Sequence, residues 1–416
     1  MSQYNAVTVT KSPQTNRLNT LRNLFNRHFD RFIRPEAQIF RIRRSAFLLC
    51  GYAGLFLAVL LTMLLVSFLG LTGWVMWVAS LTAVSTFLAL AMLTKIVMGD
   101  EHLVYYHQQN SVLVMVALVL WLLKQPILPY LDMVILGVGL FLACGRIGCL
   151  MVGCCHGRPH RWGVCYREEH VAAGFTPYYA GVRLFPIQAC ESLWVFGTVA
   201  IGTLLVLLNG HTPGEALAWY IASYAIGRFA LEFFRGDPVR MYLWEFSEAQ
   251  WDSLVLIAAV AGLGWFGLLP FQGWYAVAAL VMVLVIITVA LKRHFQKPAG
   301  HRLLHPHHVQ ELAEAIEHAT TLAEEQCNLC EQPFEPANIH LFCTRLGIQI
   351  SATKIKEAAG PVTHFVLSSQ NDPLYPESAS VLTNLIQQLQ PQLVLKELIL
   401  GKQNVYHLLF QAKPAQ

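Results

Sequence analysis

The sequence predicts an all-α polytopic membrane protein of seven to eight transmembrane helices, followed by a small C-terminal α+β soluble domain. Three observations carry that prediction. Only 13% of the 416 residues are charged and 55% are hydrophobic, with a mean hydropathy of +0.46; an ordinary soluble domain is about 25% charged. The charges are also unevenly placed. Residues 1–44 hold nine basic and two acidic, residues 45–291 hold ten and twelve, and residues 292–416 hold ten and eleven. Apolar runs of spanning length recur throughout the middle portion. A wholly soluble globule, a disordered chain and a disulfide-knotted secreted protein are excluded.

The organisation that follows is a basic amphipathic arm over 1–44, a transmembrane domain over 45–291, a linker over 292–310 and a soluble domain over 311–416. In the arm, Leu18, Leu21, Phe25, Phe29 and Phe32 recur at three- and four-residue spacing. Arg17, Arg22, Arg27, Arg31 and Arg34 are interspersed, which predicts a helix lying on an anionic leaflet. The arm is far too long for the n-region of a secretory signal, so none is expected.

From Ser45 to Met98 the only charge is Lys95, and the stretch is broken near Gly70–Gly73, giving two spans. Further spans are expected at Val112–Leu128, which could instead be re-entrant, and at Leu131–Val152, Pro186–Leu208, Gly214–Phe234, Trp251–Leu268 and Trp274–Leu291. Trp74, Trp77, Trp121, Tyr130, Trp244, Trp251, Trp265 and Trp274 fall at or near span ends, where aromatic belts belong. Beyond Lys292, helices are expected at Leu303–Glu325 and Ser378–Gln390. Strands are expected at Ile339–Thr344, Ile348–Thr353, Thr363–Ser368, Leu393–Leu400 and Val405–Phe410.

Two cysteine and histidine groupings raise the question of metal. Cys144, Cys149, Cys154, Cys155 and Cys165 cluster in sequence, but their spacing matches no standard zinc motif; packing, redox chemistry and metal binding all remain open. The run His294, His301, His305, His307 and His308 lacks a completing ligand and reads as linker. Cys327 and Cys330 form a lone CxxC, with His340 and Cys343 nearby. No metal and no cofactor are called for, and no nucleic-acid partner is expected.

Charged residues inside apolar spans are functional by default, because burying them costs several kcal/mol unless they are paired or wet. Two places stand out. Residues 145–158 read GRIGCLMVGCCHGR: four glycines let the backbone turn closely and expose N–H groups beside Arg146 and Arg158, as an anion site requires. Residues 227–235 read GRFALEFFR, and Arg228, Glu232 and Arg235 lie at i, i+4 and i+7 on one helix face. Arginine suits bidentate phosphate recognition in a dry site, whereas the bland alternative is an ion pair joining helices.

GRIGCLMVGCCHGR, FPIQACESL, YAIGRFALEFFRGDP and AQWDSLVLIAAVAG follow one another as in the prolipoprotein diacylglyceryl transferase family, which this chain resembles over Leu131–Gly264 and back toward His107. The resemblance implies a bacterial inner-membrane, multi-pass transferase. Such an enzyme moves the diacylglyceryl group of phosphatidylglycerol to the cysteine thiol of a prolipoprotein. It also implies roles. Arg146 matches the essential signature arginine, Gly145, Gly148, Gly153 and Gly157 its glycine frame, and Arg228, Glu232 and Arg235 the second arginine motif. Gln188 and Glu191 match a further polar segment, and His107 falls near the proposed catalytic histidine. There are departures: Gln108 and Gln109 replace two glycines, Cys149 an asparagine, Cys154 a glutamate, and Phe185 a histidine.

The expected catalytic group is therefore His107, Arg146, Arg228 and Glu232. The expected substrate-binding group is Gly145, Gly148, Gly153, His156, Gly157, Arg158, Gln188, Glu191 and Arg235. Arg146 and Arg228 would clamp a lipid phosphate, Glu232 would hold Arg235, and His107 would be the base with His156 its rival. A related transferase with another acceptor, or a non-catalytic lipid-binding scaffold, are the alternatives. With eight spans, both termini share a face with the motifs; the arm's nine basic residues favour the cytoplasm for it, whereas family analogy favours the outside.

Overall fold

The structure is a computed structural model that describes residues 13–39, 42–98, 105–175, 179–208, 212–236, 242–244, 246–295, 306–329, 340–357, 360–370, 374–401 and 405–412. The arm forms α1 (Pro13–Phe32), followed by a hairpin of β1 (Glu36–Ile39) and β2 (Ile42–Ser45). Then come α2 (Ala46–Phe68), α3 (Gly73–Met98), α4 (Tyr105–Leu122) and α5 (Ile127–Val152). After α5 the chain forms β3 (Pro159–Cys165), a single turn α6 (Glu168–Val171) and β4 (Arg183–Leu184), with β3 and β4 antiparallel. α7 (Ile187–Leu207) and α8 (Glu215–Glu232) lead to the two-residue strands β5 (Tyr242–Leu243) and β6 (Phe246–Ser247), and then to α9 (Glu248–Trp265) and α10 (Gly273–Phe295).

The helical class stands. Among the described residues, five helices, α2, α3, α5, α7 and α10, are long and apolar enough to cross a membrane by length and composition alone. α4, α8 and α9 are 18 residues each and carry polar side chains on their buried faces. That polarity explains where the sequence misplaced a boundary. The span expected at Val112–Leu128 starts seven residues earlier and stops at Leu122. Tyr106, Gln108 and Gln109, which look like loop, are buried against the bundle rather than wet. Past Leu122, Lys124 adopts a left-handed conformation two residues before Pro126, and the helix cannot continue. α9 likewise starts ahead of Trp251, because Ser247 caps it with a capping box: the Ser247 N–H donates to Gln250 Oε1 at 3.1 Å.

α5 is the most enclosed of the five apolar spans, and α3 and α10 the most open to lipid. Small residues let its neighbours approach. A Cβ on Gly54 of α2 would meet Cys144 at 2.8 Å, and one on Gly139 of α5 would meet the Tyr220 ring of α8 at 2.3 Å. Packing of this kind holds helices together where lipid is as apolar as leucine.

Asp132, wholly buried in the second turn of α5, is a charge in an apolar span that does structural work. Its carboxylate accepts the N–H groups of Gly214 and Leu217 at 2.7 Å each, capping the start of α8 from another helix. Asp132→Ala should therefore cost about 2–3 kcal/mol, since two buried donors lose a charged acceptor. A thermal melt in detergent would show it as a fall in Tm of several degrees. An unchanged melt would mean that water reaches this cap.

The tail comprises α11 (Pro306–Leu329), β7 (Phe342–Cys343), β8 (Ile348–Glu357), β9 (Gly360–Ser369), α12 (Pro376–Leu389), β10 (Leu393–Leu400) and β11 (Tyr406–Ala412). The strands form one antiparallel sheet in the order β10-β11-β9-β8-β7. Leu312 and Ile316 of α11, with Leu382 and Ile386 of α12, join Ile350, Phe365, Leu408 and Phe410 of the sheet in a core. The strand expected at Ile339–Thr344 shrinks to Phe342–Cys343, while that at Leu393–Leu400 has the expected bounds. Of the His-rich run, His308 is described: it is buried, with Nε2 2.8 Å from Thr344 Oγ1. The side chains of His294, His301, His305, His307, Cys327 and Cys330 lie outside the described residues.

On the sheet, His364 Nε2 and His407 Nδ1 sit 3.0 Å apart. Burial, and then the neighbouring His407, push His364 below the ordinary histidine range. The folded tail thus holds fewer protons than the unfolded chain, so its stability is complete above about pH 6.5 and falls as pH drops below it. Hydrogen exchange of β9 and β11, corrected for intrinsic rates, should be faster at acid than at neutral pH, and His407→Gln should reduce the difference. Equal corrected rates would contradict this.

The arm, the motifs and the tail meet at one end of the bundle. Asn26 of α1 donates to Arg161 O of β3 at 3.0 Å, and Asn384 of α12 donates to Ala180 O at 3.0 Å.

Candidate functional site

The last turns of α5 and the chain just beyond them build the site. Here glycine has distinct uses. Gly153 ends the helix in a left-handed conformation, φ +89°, which L side chains rarely adopt. A Cβ at Gly157 would lie 2.4 Å from Phe185 O, so only glycine lets the turn pass the backbone just after β4. Gly148 packs over the Phe47 backbone, whereas nothing lies within 4 Å of a Cβ on Gly145.

Between Gly145 and Gly148, Arg146 projects inward and is 7% exposed. Its Nη2 lies 3.1 Å from Oε1 of Glu191, one turn into α7. The second oxygen of Glu191 lies 3.8 Å from Arg228 Nη1 on α8, and Glu232 Oε2 lies 2.8 Å from the same nitrogen. Tyr224 OH donates to Glu191 Oε1 at 3.1 Å. One carboxylate therefore holds two guanidiniums from different helices, in a place that is at most 7% exposed. Two positive and two negative charges balance there, which makes the burial tolerable.

Around this ion group lies a set of tyrosines that sequence reasoning missed. Tyr105 and Tyr220 share a hydrogen bond of 2.8 Å, and Tyr106 and Ser253 one of 2.6 Å. The Tyr106 and Tyr224 rings meet edge to face at 5.6 Å. Tyr220 and Tyr224 lie four residues apart on the helix bearing Arg228, and that spacing was the available signal.

Several buried polar atoms have no protein partner among the described residues: Nε of Arg146, Oε1 of Gln188, Oε1 of Gln108 and both amide atoms of Gln109. An unmade hydrogen bond at a buried group costs about 1–3 kcal/mol, so each of these atoms calls for a water or a polar ligand as its partner. Gln188 uses its Nε2 to donate to Cys154 O at 2.8 Å, fixing the turn after α5.

The remaining expected residues divide between interior and rim. His156 is buried against Phe175 and Tyr179, with Nδ1 2.8 Å from Gly157 O. Its carbonyl accepts the Gly236 N–H at 3.0 Å, and Gly157 bridges Arg235, so the two arginine motifs are joined by backbone. Arg158 Nε donates to Arg235 O at 3.3 Å. His107 stands on the rim, more than half exposed, with Nε2 3.0 Å from Glu248 Oε1. Asp252 completes a group with His107 and Glu248 whose ligand atoms lie within 4.8 Å of one another. Glu232, expected to hold Arg235, has its carboxylate paired with Arg228 on its own helix, at 2.8 Å.

Of the five cysteines clustered in sequence, the structure brings together Cys149, Cys154 and Cys155, whose sulfurs also lie within 4.8 Å of one another. All are free thiols, and Cys155 sits in a left-handed conformation at φ +54°. Three thiols at that separation could hold a thiophilic ion. Cys144 instead packs against Gly54, and Cys165 lies in β3.

The segment that carries this geometry is similar to known proteins. Residues 110–266 match the family model of prolipoprotein diacylglyceryl transferase. The match contains Arg146, Gln188, Glu191, Arg228, Glu232 and Arg235, and the four motifs fall inside it. The chain is similar to phosphatidylglycerol–prolipoprotein diacylglyceryl transferase 2 of Clostridium perfringens, at 34% identity over 28% of this chain and 43% of the relative. The transferase of Clostridium tetani is 33% identical over 32% of this chain and 50% of its own, and that of Dehalococcoides mccartyi 35% identical over 31% and 47%. The chain spans about half the length of the curated relatives it matches. The transferase-like segment runs from α4 to the end of α9; the arm, α2, α3 and the tail lie outside it.

Proposed function

We propose that the protein is a bacterial inner-membrane transferase with eight spans, moving the diacylglyceryl group of phosphatidylglycerol to the cysteine thiol of a prolipoprotein. The observation that carries this is the convergence of Arg146 and Arg228 on Glu191, inside the segment that matches the transferase family.

The chemistry follows from what is held there. A phosphodiester of the lipid takes the place of Glu191 as partner of the two guanidiniums, which stabilise the charge that develops on the leaving phosphate. The carbon–oxygen bond between the glyceryl carbon and the phosphate breaks, and a carbon–sulfur bond forms to the incoming thiol. Glycerol phosphate leaves and the thiol proton passes to a base. His107, oriented by Glu248, is the base on the rim, where an acceptor peptide can reach it; buried His156 is the rival. Tyr224 keeps Glu191 in place when the phosphate competes for its arginines.

Expression in a bacterium depleted of its own diacylglyceryl transferase tests the proposal. Restored growth and restored conversion of prolipoprotein to the lipid-modified form are expected. Persistent unmodified precursor, with the protein present in the membrane, would overturn it. Protease protection of the tail reports the side of the whole machinery, since arm, motifs and tail lie at one end. Lipobox transfer requires that end to face outward, and a tail confined to the cytoplasm would count against that acceptor.

A further inference from the structure

Beyond the buried arginine pair, a second concentration of arginine lies at the surface. α1 folds back on the β3–β4 hairpin, and between them opens a cleft of about 790 Å³. From α1 it is lined by Arg22, Arg27, Arg31 and Arg34, and from the hairpin region by Arg161, Arg167 and Arg183. Among the described residues, the one acidic side chain lining it is Asp30. Asp30 is committed to holding the fold, because its carboxylate accepts from Arg183 Nη1 at 3.1 Å, Arg183 Nη2 at 2.8 Å and the Cys165 N–H at 3.0 Å. Glu169 answers Arg34 at 2.6 Å. The other five guanidiniums face one another across the cleft with no ion pair of comparable closeness among the described residues.

The arrangement is built rather than incidental. Asn26 grips the hairpin twice, donating to Arg161 O and accepting the Gly163 N–H, both at 3.0 Å. With Asp30 one turn along, this fixes the docking face of α1, and arginines stand to either side of it. Bringing so many like charges together opposes folding unless an anion of several charges compensates. The same helix presents Leu21, Leu24 and Phe32, each more than half exposed, where a membrane surface would cover them. An anion met at a bilayer surface accounts for both the charge and the exposed apolar side chains.

We propose that this cleft binds the headgroup of an anionic phospholipid carrying two phosphates. One phosphate is answered by two or three guanidiniums, and the charge here exceeds that. The site is distinct from the proposed transfer site, and four of its arginines lie outside the segment shared with the transferases.

Native mass spectrometry of the full chain in detergent tests it, with diphosphatidylglycerol, phosphatidylglycerol and phosphatidylcholine as probes. Diphosphatidylglycerol should be retained most tightly. Arg27→Gln/Arg31→Gln, at two exposed positions, should weaken its retention about tenfold or more, given about 1 kcal/mol per basic residue at an anionic surface. Arg27→Lys/Arg31→Lys should fall between, and Arg345→Gln/Lys396→Gln, which removes equal charge from the tail, should change nothing. Unchanged retention in the double glutamine variant would overturn the site. Equal weakening in the tail variant would reduce it to bulk charge. Displacement of the lipid by an equal concentration of inorganic pyrophosphate would make the ligand a soluble diphosphate and overturn the lipid assignment. Loss of transfer in Arg146→Ala with diphosphatidylglycerol retention intact would show that the two sites stand or fall separately.

Discussion

Arg146→Ala is expected to lower diacylglyceryl transfer by about a hundredfold or more while leaving the protein folded, since removing one preformed donor from a developing charge costs that much in other enzymes. The fold survives because Glu191 loses one partner of three: Arg228 remains at 3.8 Å and the Tyr224 hydroxyl at 3.1 Å. Arg146→Lys restores the charge but not the planar fork, so it should recover only part of the rate. The loss should fall on kcat more than on KM, because the phosphate needs the second guanidinium most when its bond is breaking. A rate within a few-fold of the parent would remove Arg146 from the reaction.

Glu191→Ala should do the opposite: it should unfold the site before catalysis can be measured. Glu191 is 2% exposed and stands between two guanidiniums, so its removal leaves two buried positive charges facing each other with Glu232 alone to answer them. Breaking a buried pair in this way costs about 3–5 kcal/mol. A large fall in Tm and poor recovery from membranes are expected. Glu191→Gln keeps an acceptor for Tyr224 and should fall between. An alanine variant as stable as the parent would mean that water or lipid, not Glu191, neutralises the arginines.

The contrast shows what a linear sequence conveys. Arg228 and Glu232 lie four apart on one helix, so their pairing was legible from spacing alone. Arg146 and Glu191 were each singled out, but their meeting across α5 and α7 depends on a crossing that no spacing encodes. Glu191, expected among substrate-binding residues, sits as the bridge between Arg146 and Arg228. The apolar runs from Ser45 to Leu291 conveyed the helices well wherever lipid faces them. They conveyed α4 poorly, because Tyr106, Gln108 and Gln109 turn polar groups inward, and a hydropathy pattern cannot tell a wet loop from a polar interior. Asp132 went unremarked for a related reason: a lone carboxylate in a span looks functional or misplaced until α8 is seen starting above it. The docking of α1 on β3 was equally hidden, since Asn26 and Asp30 are ordinary polar residues until the hairpin is beside them.

The decisive measurement is mass spectrometry of a lipobox peptide after incubation with purified protein and phosphatidylglycerol. The peptide should gain one diacylglyceryl group on its cysteine sulfur, with one glycerol phosphate released for each thioether formed, and Arg146→Ala should lower both by about a hundredfold or more. Glycerol phosphate release without a modified cysteine, or an unmodified peptide with the lipid bound and intact, would contradict the assignment of this site to diacylglyceryl transfer.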